Sequence, residues 1–237
     1  SVNYLFDLLE EHIDELDWTS LSKNKNAVPF LKKYVQYIDW WSASENTSME
    51  MVDMLESKYF DHIQWLPFSG NPSAIGVLKK HLSKVDKTML NLNPKCMEIL
   101  RENPSMIDYK ILCSNHSYEA MKIIEENINH PKVSFELLSS NSYAISILLK
   151  NKDKIDWYAA IENENIGELF KAFPDKISSL IMKYVSHYPS VFPFLKEYLY
   201  DVSVIKLAEN PSIFKVDRED YKNRLRMIQK IMARTKI

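Results

Sequence analysis

The 237-residue sequence predicts an all-α chain built from tandem copies of a short helical hairpin, and three observations carry that reading. Asparagine returns at a near-fixed interval, its neighbours return with it, and glycine is almost absent, with three residues at Gly70, Gly76 and Gly167. So few glycines leave no Gly-rich phosphate loop and few tight hairpins. A repeat this short cannot bury its own apolar face, so neighbouring copies have to cover one another.

The period is set by Asn24, Asn46, Asn71, Asn93, Asn115, Asn141, Asn163 and Asn210, with Tyr188 in the one slot that lacks asparagine. The steps are 22, 25, 22, 22, 26, 22, 25 and 22 residues. Three residues earlier stand Leu21, Phe68, Leu90, Leu112, Leu138 and Leu207, with Ala43 and Ala160 in the other copies. Three residues later come Ala27, Ala74, Cys96, Ala144, Ile166 and Ile213, mostly small or apolar. Ile38-Asp39-Trp40, Ile107-Asp108-Tyr109 and Ile155-Asp156-Trp157 follow further on, and Leu16-Asp17-Trp18 supplies the same element to an incomplete first copy. Nine marked copies and that fragment cover nearly the whole chain.

Each copy is expected to form two short helices. Asn71-Pro72, Asn93-Pro94 and Asn210-Pro211 read as an N-cap followed by the favoured first helical residue, because the asparagine oxygen takes an orphan amide and proline has none to lose. Behind the cap, Ala74-Ile75 and Val77-Leu78 form an apolar stripe at helical spacing. The aspartate of Ile-Asp-Trp then caps a second helix. On this reading the eight asparagines are repeat caps; the rival reading makes them a buried ladder between copies. Asn46-Thr47-Ser48-Met49-Glu50 and Asn115-His116-Ser117-Tyr118-Glu119 open copies three and four residues longer, about one helical turn. The extra residues are expected in a longer first helix. The copy at Asn163 gains its three near Val185 to Tyr188.

After Ile213-Phe214 the repeat stops, and a different helix is expected from about Asp217. Tyr221, Leu225, Ile228 and Met232 fall on one face of it, and Arg218, Lys222, Arg226 and Lys230 on another. The prediction is an elongated α-solenoid of about nine to ten repeats of 22–26 residues, with ankyrin-like stacking. The array occupies 1–214, and a basic amphipathic capping helix occupies 215–237 of the same structural domain.

Leu21-Ser22-Lys23-Asn24, Ser69-Gly70-Asn71-Pro72-Ser73-Ala74-Ile75 and Lys154-Ile155-Asp156-Trp157 resemble the short tandem repeats of giant DNA viruses of the mimivirus kind. The resemblance extends over about the whole chain, including the basic ending after Asn210-Pro211. It implies a viral source and a repeat architecture, and no activity. Tyr188 in place of asparagine and Lys87 in place of tryptophan depart from the pattern.

No constellation of residues announces catalysis. The six histidines form no i, i+3 or i, i+4 pair, and the two cysteines, Cys96 and Cys113, sit in or near packing slots. Neither a metal, a cofactor nor a small-molecule substrate is expected. Two cysteines make no disulfide framework and point to a reducing compartment, so a cytoplasmic location is expected. No apolar run reaches membrane-spanning length, and Ser1-Val2-Asn3-Tyr4 has no signal-peptide layout. Net charge is −2, but unevenly spread: residues 1–60 carry 11 acids against 5 lysines, and residues 215–237 carry 8 bases against 3 acids.

Trp18, Trp40, Trp65 and Trp157 share one slot and are expected to pack between copies. Trp41 lies off that slot, and an exposed tryptophan suits a protein interface. Trp41 with Arg218, Lys222, Arg226 and Lys230 are therefore the candidate interaction residues. The function expected is a non-catalytic scaffold for a host or viral protein. An architectural part of a virus particle or replication compartment is the alternative. A nucleic-acid reader is disfavoured, because no basic position recurs outside the last helix.

Overall fold

The computed structural model describes residues 2–198, 202–214 and 221–233. It is all-helical, with no strand among the described residues, and divides into two compact units, Ser1–Asn115 and His116–Ile237. Arg218 and Asp217 lie outside the described residues.

Within the first unit each copy runs helix, one 3-10 turn, helix: Ile75–Lys80, Leu82–Lys84 and Lys87–Leu92 make one set. Six-residue helices are too short to persist in water by themselves, so packing must hold them. Aspartate starts the second helix as the sequence predicts. Asp17 accepts from Ser20 N, Asp39 from Ser42 N and Asp86 from Met89 N. The longer copy spends its extra residues in the ten-residue helix Met49–Lys58. The second helices lie side by side in chain order: Trp18–Lys23, Trp40–Glu45, Trp65–Gly70, Lys87–Leu92 and Tyr109–Leu112.

The second unit follows the same plan with two departures. Tyr118–Glu126 is the lengthened first helix expected there, and Ser179–Val185 absorbs the late insertion. Pro189–Phe194 is 3-10 where other copies have an α-helix; in an α-helix the ring of Pro193 would clash with the carbonyl four residues back. Ala159–Glu162 is also 3-10. Here Phe135–Ser140, Ala159–Glu162, Ser179–Val185 and Val204–Ala208 form one row, and Ile145–Lys150, Ile166–Ala172, Pro189–Phe194 and Pro211–Phe214 form the other.

The recurring apolar slots are the core. Three residues before the asparagine position, Ala43, Phe68, Leu90, Leu112, Leu138, Ala160 and Val185 are fully buried. Seven residues after it, Leu31, Leu78, Leu100, Leu148 and Phe170 are buried as completely. Each leucine, valine or phenylalanine among them contributes about 1.5–3 kcal/mol by leaving water.

Candidate functional site

The asparagines singled out by the sequence sit elsewhere than expected. Asn24, Asn46, Asn71, Asn93, Asn141 and Asn163 are the last, C-capping residues of the second helices, and no side chain caps the helices that begin at Val28, Ile75 and Met97. The expectation that they cap helix N-termini holds for the short 3-10 helices Ser142–Ala144, which Asn141 caps, and Pro211–Phe214, which follows Asn210; for the α-helices of the other copies it is corrected to a capped turn. Asn71 Oδ1 accepts from Ser73 N at 2.9 Å while Asn71 O accepts from Ala74 N, and the same turn recurs at Asn93, Asn163 and Asn210. Asparagine then proline is equally the opening of such a β-turn, which is why the pair misleads.

The amide half of each side chain makes a ladder. Asn71 Nδ2 donates to Ser44 O and Asn46 O, Asn93 to Ser69 O and Asn71 O, and Asn115 to Asn91 O and Asn93 O. Asn46 donates to Ser22 O. In the second unit Asn163 donates to Ser139 O and Asn141 O, and Asn210 to Ser186 O and Tyr188 O. The logic is one of supply. A helix end leaves carbonyls without partners, a covering neighbour excludes water, and a carboxamide brings two hydrogens to two of them. Asn46, Asn71, Asn93, Asn115, Asn141, Asn163 and Asn210 are accordingly buried, while Asn24 is exposed.

A second polar slot, two residues earlier, escapes the sequence reading. Ser22, Ser44, Ser69 and Ser139 accept through Oγ from the backbone N–H of Asp39, Gln64, Asp86 and Asp156 in the following copy, and Asn91 Oδ1 serves Asp108 N likewise. Ser186 occupies this slot with its hydroxyl buried and no partner among the described residues. The recurring Leu-Ser pair was the signal.

The tryptophans of the common slot are half-buried and meet aromatic groups of the next copy. Trp18 stacks on Tyr37 with centroids 4.6 Å apart, and Trp40 stacks on His62 at 4.3 Å. Trp41 is 48% exposed but is not off the pattern. It is the second residue of its helix, a position that also exposes Leu66 in the first unit and Leu180 and Ile205 in the second.

The last helix, Tyr221–Met232, keeps Arg226 and Lys230 exposed as expected; for Lys222 the side chain lies outside the described residues. Its covered face is corrected. Leu225 and Met232 are exposed, and Ile231 is buried with Met227 and Ile228 half-buried beside it. The i, i+3 and i, i+4 spacing of those three defines a stripe rotated away from the expected one.

One cleft, of about 420 Å³, lies in the second unit beside the turns at Asn141 and Asn163. It is lined by His116, Tyr118, Tyr143, Glu162, Glu164 and Asn165, with Ser140 and Ser142. The turns fix it: Tyr143 and Asn165 each stand two residues past a ladder asparagine and give it their backbone N–H. Asn165 Nδ2 also reaches Ser142 O at 3.2 Å, tying two walls together. Tyr118 and Tyr143 meet edge to face at 4.9 Å and 64°, with His116 6.1 Å from Tyr143. Burial, and then the negative charge of Glu162 and Glu164, pushes the Tyr188 phenol above its ordinary range.

Among the described residues no group of three or more His, Cys, Asp or Glu is placed to hold a metal ion. Cys96 and Cys113 are buried, and burial pushes the Cys96 thiol up to about 12. No described helix is long and apolar enough to cross a membrane. No family model matches the chain, and neither a curated protein nor a solved structure matches it.

Proposed function

We propose that this chain is a non-catalytic protein-interaction scaffold, an α-solenoid of nine to ten hairpin copies stacked as ankyrin repeats are. The observation that carries the reading is the contrast between fixed interior slots and a variable exterior. The second position of the second helices varies between apolar Trp41, Leu66, Leu180 and Ile205, all exposed, and polar Thr19, Thr88, Lys110 and Glu136, with interior slots behind them that repeat from copy to copy. Exposed aromatic and aliphatic anchors on a repeated frame are what protein interfaces use. On the resemblance drawn above, the partner is a protein of a giant DNA virus or of its host, met in the cytoplasm.

The test is reconstitution. Proteins captured on the immobilised chain from an extract of its cells are purified and mixed singly with the wild type and with Trp41→Ala. A defined complex by ultracentrifugation, weakened about tenfold or more by Trp41→Ala with melting unchanged, is expected. Failure of every purified candidate to form a complex contradicts the reading.

A further inference from the structure

We propose that the cleft between Tyr118, Tyr143, Glu162 and Glu164 receives an arginine side chain of the partner polypeptide. The inference rests on the scaffold reading and names the chemistry of one contact within it.

The charge at this place is one-sided. Several glutamates elsewhere are matched by lysine, Glu10 by Lys33, Glu45 by Lys23, Glu56 by Lys80, Glu98 by Lys79 and Glu125 by Lys150, whereas this cleft is lined by two glutamates. Several of these pairs bridge adjacent copies. Glu162 and Glu164 have no ion pair among the described residues, and no lysine or arginine lines the cleft they edge. Two uncompensated carboxylates two residues apart therefore face a space with aromatic walls.

The walls narrow the cation. Tyr118, 69% exposed, and Tyr143 both line the cleft and meet edge to face, so aromatic surface borders the two carboxylates. A cation above a tyrosine face gains from the ring quadrupole. A guanidinium does so while its planar fork donates to carboxylates, which a compact ammonium cannot do as well. The cleft volume matches small-ligand sites of roughly 300–1,000 Å³ and exceeds one side chain, leaving room for backbone on either side. Too few clustered ligands are present for a metal ion, and the negative field repels a phosphate.

The test uses the whole chain and defined peptides: a Gly/Ser nonapeptide with one central arginine, and the same peptide carrying norleucine, lysine or phosphoserine there. Amide shifts of Tyr143, Glu164 and Asn165 are followed by NMR. The arginine peptide is expected to move them saturably and more tightly than the lysine peptide, with no response to norleucine or phosphoserine. Glu162→Gln/Glu164→Gln should weaken binding about tenfold or more, and Tyr118→Ala about threefold or more, both without changing melting because the residues are exposed. No shift with the arginine peptide, equal response to norleucine, preference for phosphoserine, or binding unaffected by both variants overturns the proposal. A captured protein that binds the glutamine variant undiminished removes the cleft assignment and leaves the scaffold standing; arginine binding without any protein partner does the reverse.

Discussion

The side-chain amide of Asn93 donates to the backbone carbonyl of Asn71 at 3.0 Å, across 22 residues of sequence. Asn71 makes the same bond to Asn46 at 2.9 Å across 25 residues. One geometry serves both intervals because the extra turn is placed in Met49–Lys58, away from the asparagine edge. Within the first unit the ladder is thus a fixed rail along which copy length can vary, and in the second unit Asn163 makes the same bond to Asn141 O beside the cleft.

The serine slot should matter nearly as much as the asparagine slot. Ser69 Oγ donates to Trp65 O and accepts from Asp86 N at 2.9 Å. Ser69→Ala leaves that part-buried amide without its acceptor, and a loss of about 1–2 kcal/mol in urea unfolding is expected. Ser69→Asn should recover part of it, since Asn91 does this work in the next copy.

Two glycines should respond in opposite directions. A Cβ on Gly167 would stand 1.9 Å from the Ser190 carbonyl oxygen, whereas one on Gly76 meets nothing within 4 Å. Gly167→Ala must push backbone aside and is expected to cost about 1–3 kcal/mol or more. Gly76→Ala, inside the helix Ile75–Lys80, should stabilise by about 0.5–1 kcal/mol. Thermal melts of the two variants check both signs.

Cys96 supplies a pH test. Its thiol is buried and donates to Leu90 O, and its pKa rises from 9.0 to about 12. Above about pH 9 the unfolded chain releases this proton while the folded chain keeps it. The unfolded state then binds fewer protons, and stability falls as pH rises from about 9 towards 12. Cys96→Ala, matching Ala27 and Ala74 in the same slot, should reduce that fall relative to wild type. Native Cys96 should also resist thiol reagents until the chain unfolds.

The sequence displays the period, the aspartate caps, the lengthened helices and the common tryptophan slot, because each is a local pattern of residue type. It conceals whatever depends on the neighbouring copy. The asparagine donors at Asn71 and Asn93 act on carbonyls more than 20 residues back, and a proline after asparagine fits a helix start and a turn alike. The serine slot hides because Asn91 substitutes for serine while keeping its acceptor role. Trp41 looked irregular because its position faces solvent, where Thr19, Leu66, Thr88 and Lys110 are equally acceptable. The cleft gathers residues of successive copies that no single motif marks.

The most direct test compares Asn93→Ala with Asn24→Ala by equilibrium urea unfolding. Both asparagines belong to the first unit and accept from the amide two residues on, but only Asn93 is buried with its Nδ2 on two carbonyls of the preceding copy. The ladder predicts a loss of about 2–4 kcal/mol for Asn93→Ala, from buried carbonyls left without donors, and below about 1 kcal/mol for Asn24→Ala, where only the turn bond is lost. Equal, small losses at both positions would mean that capping is all the asparagines do, and would contradict the ladder.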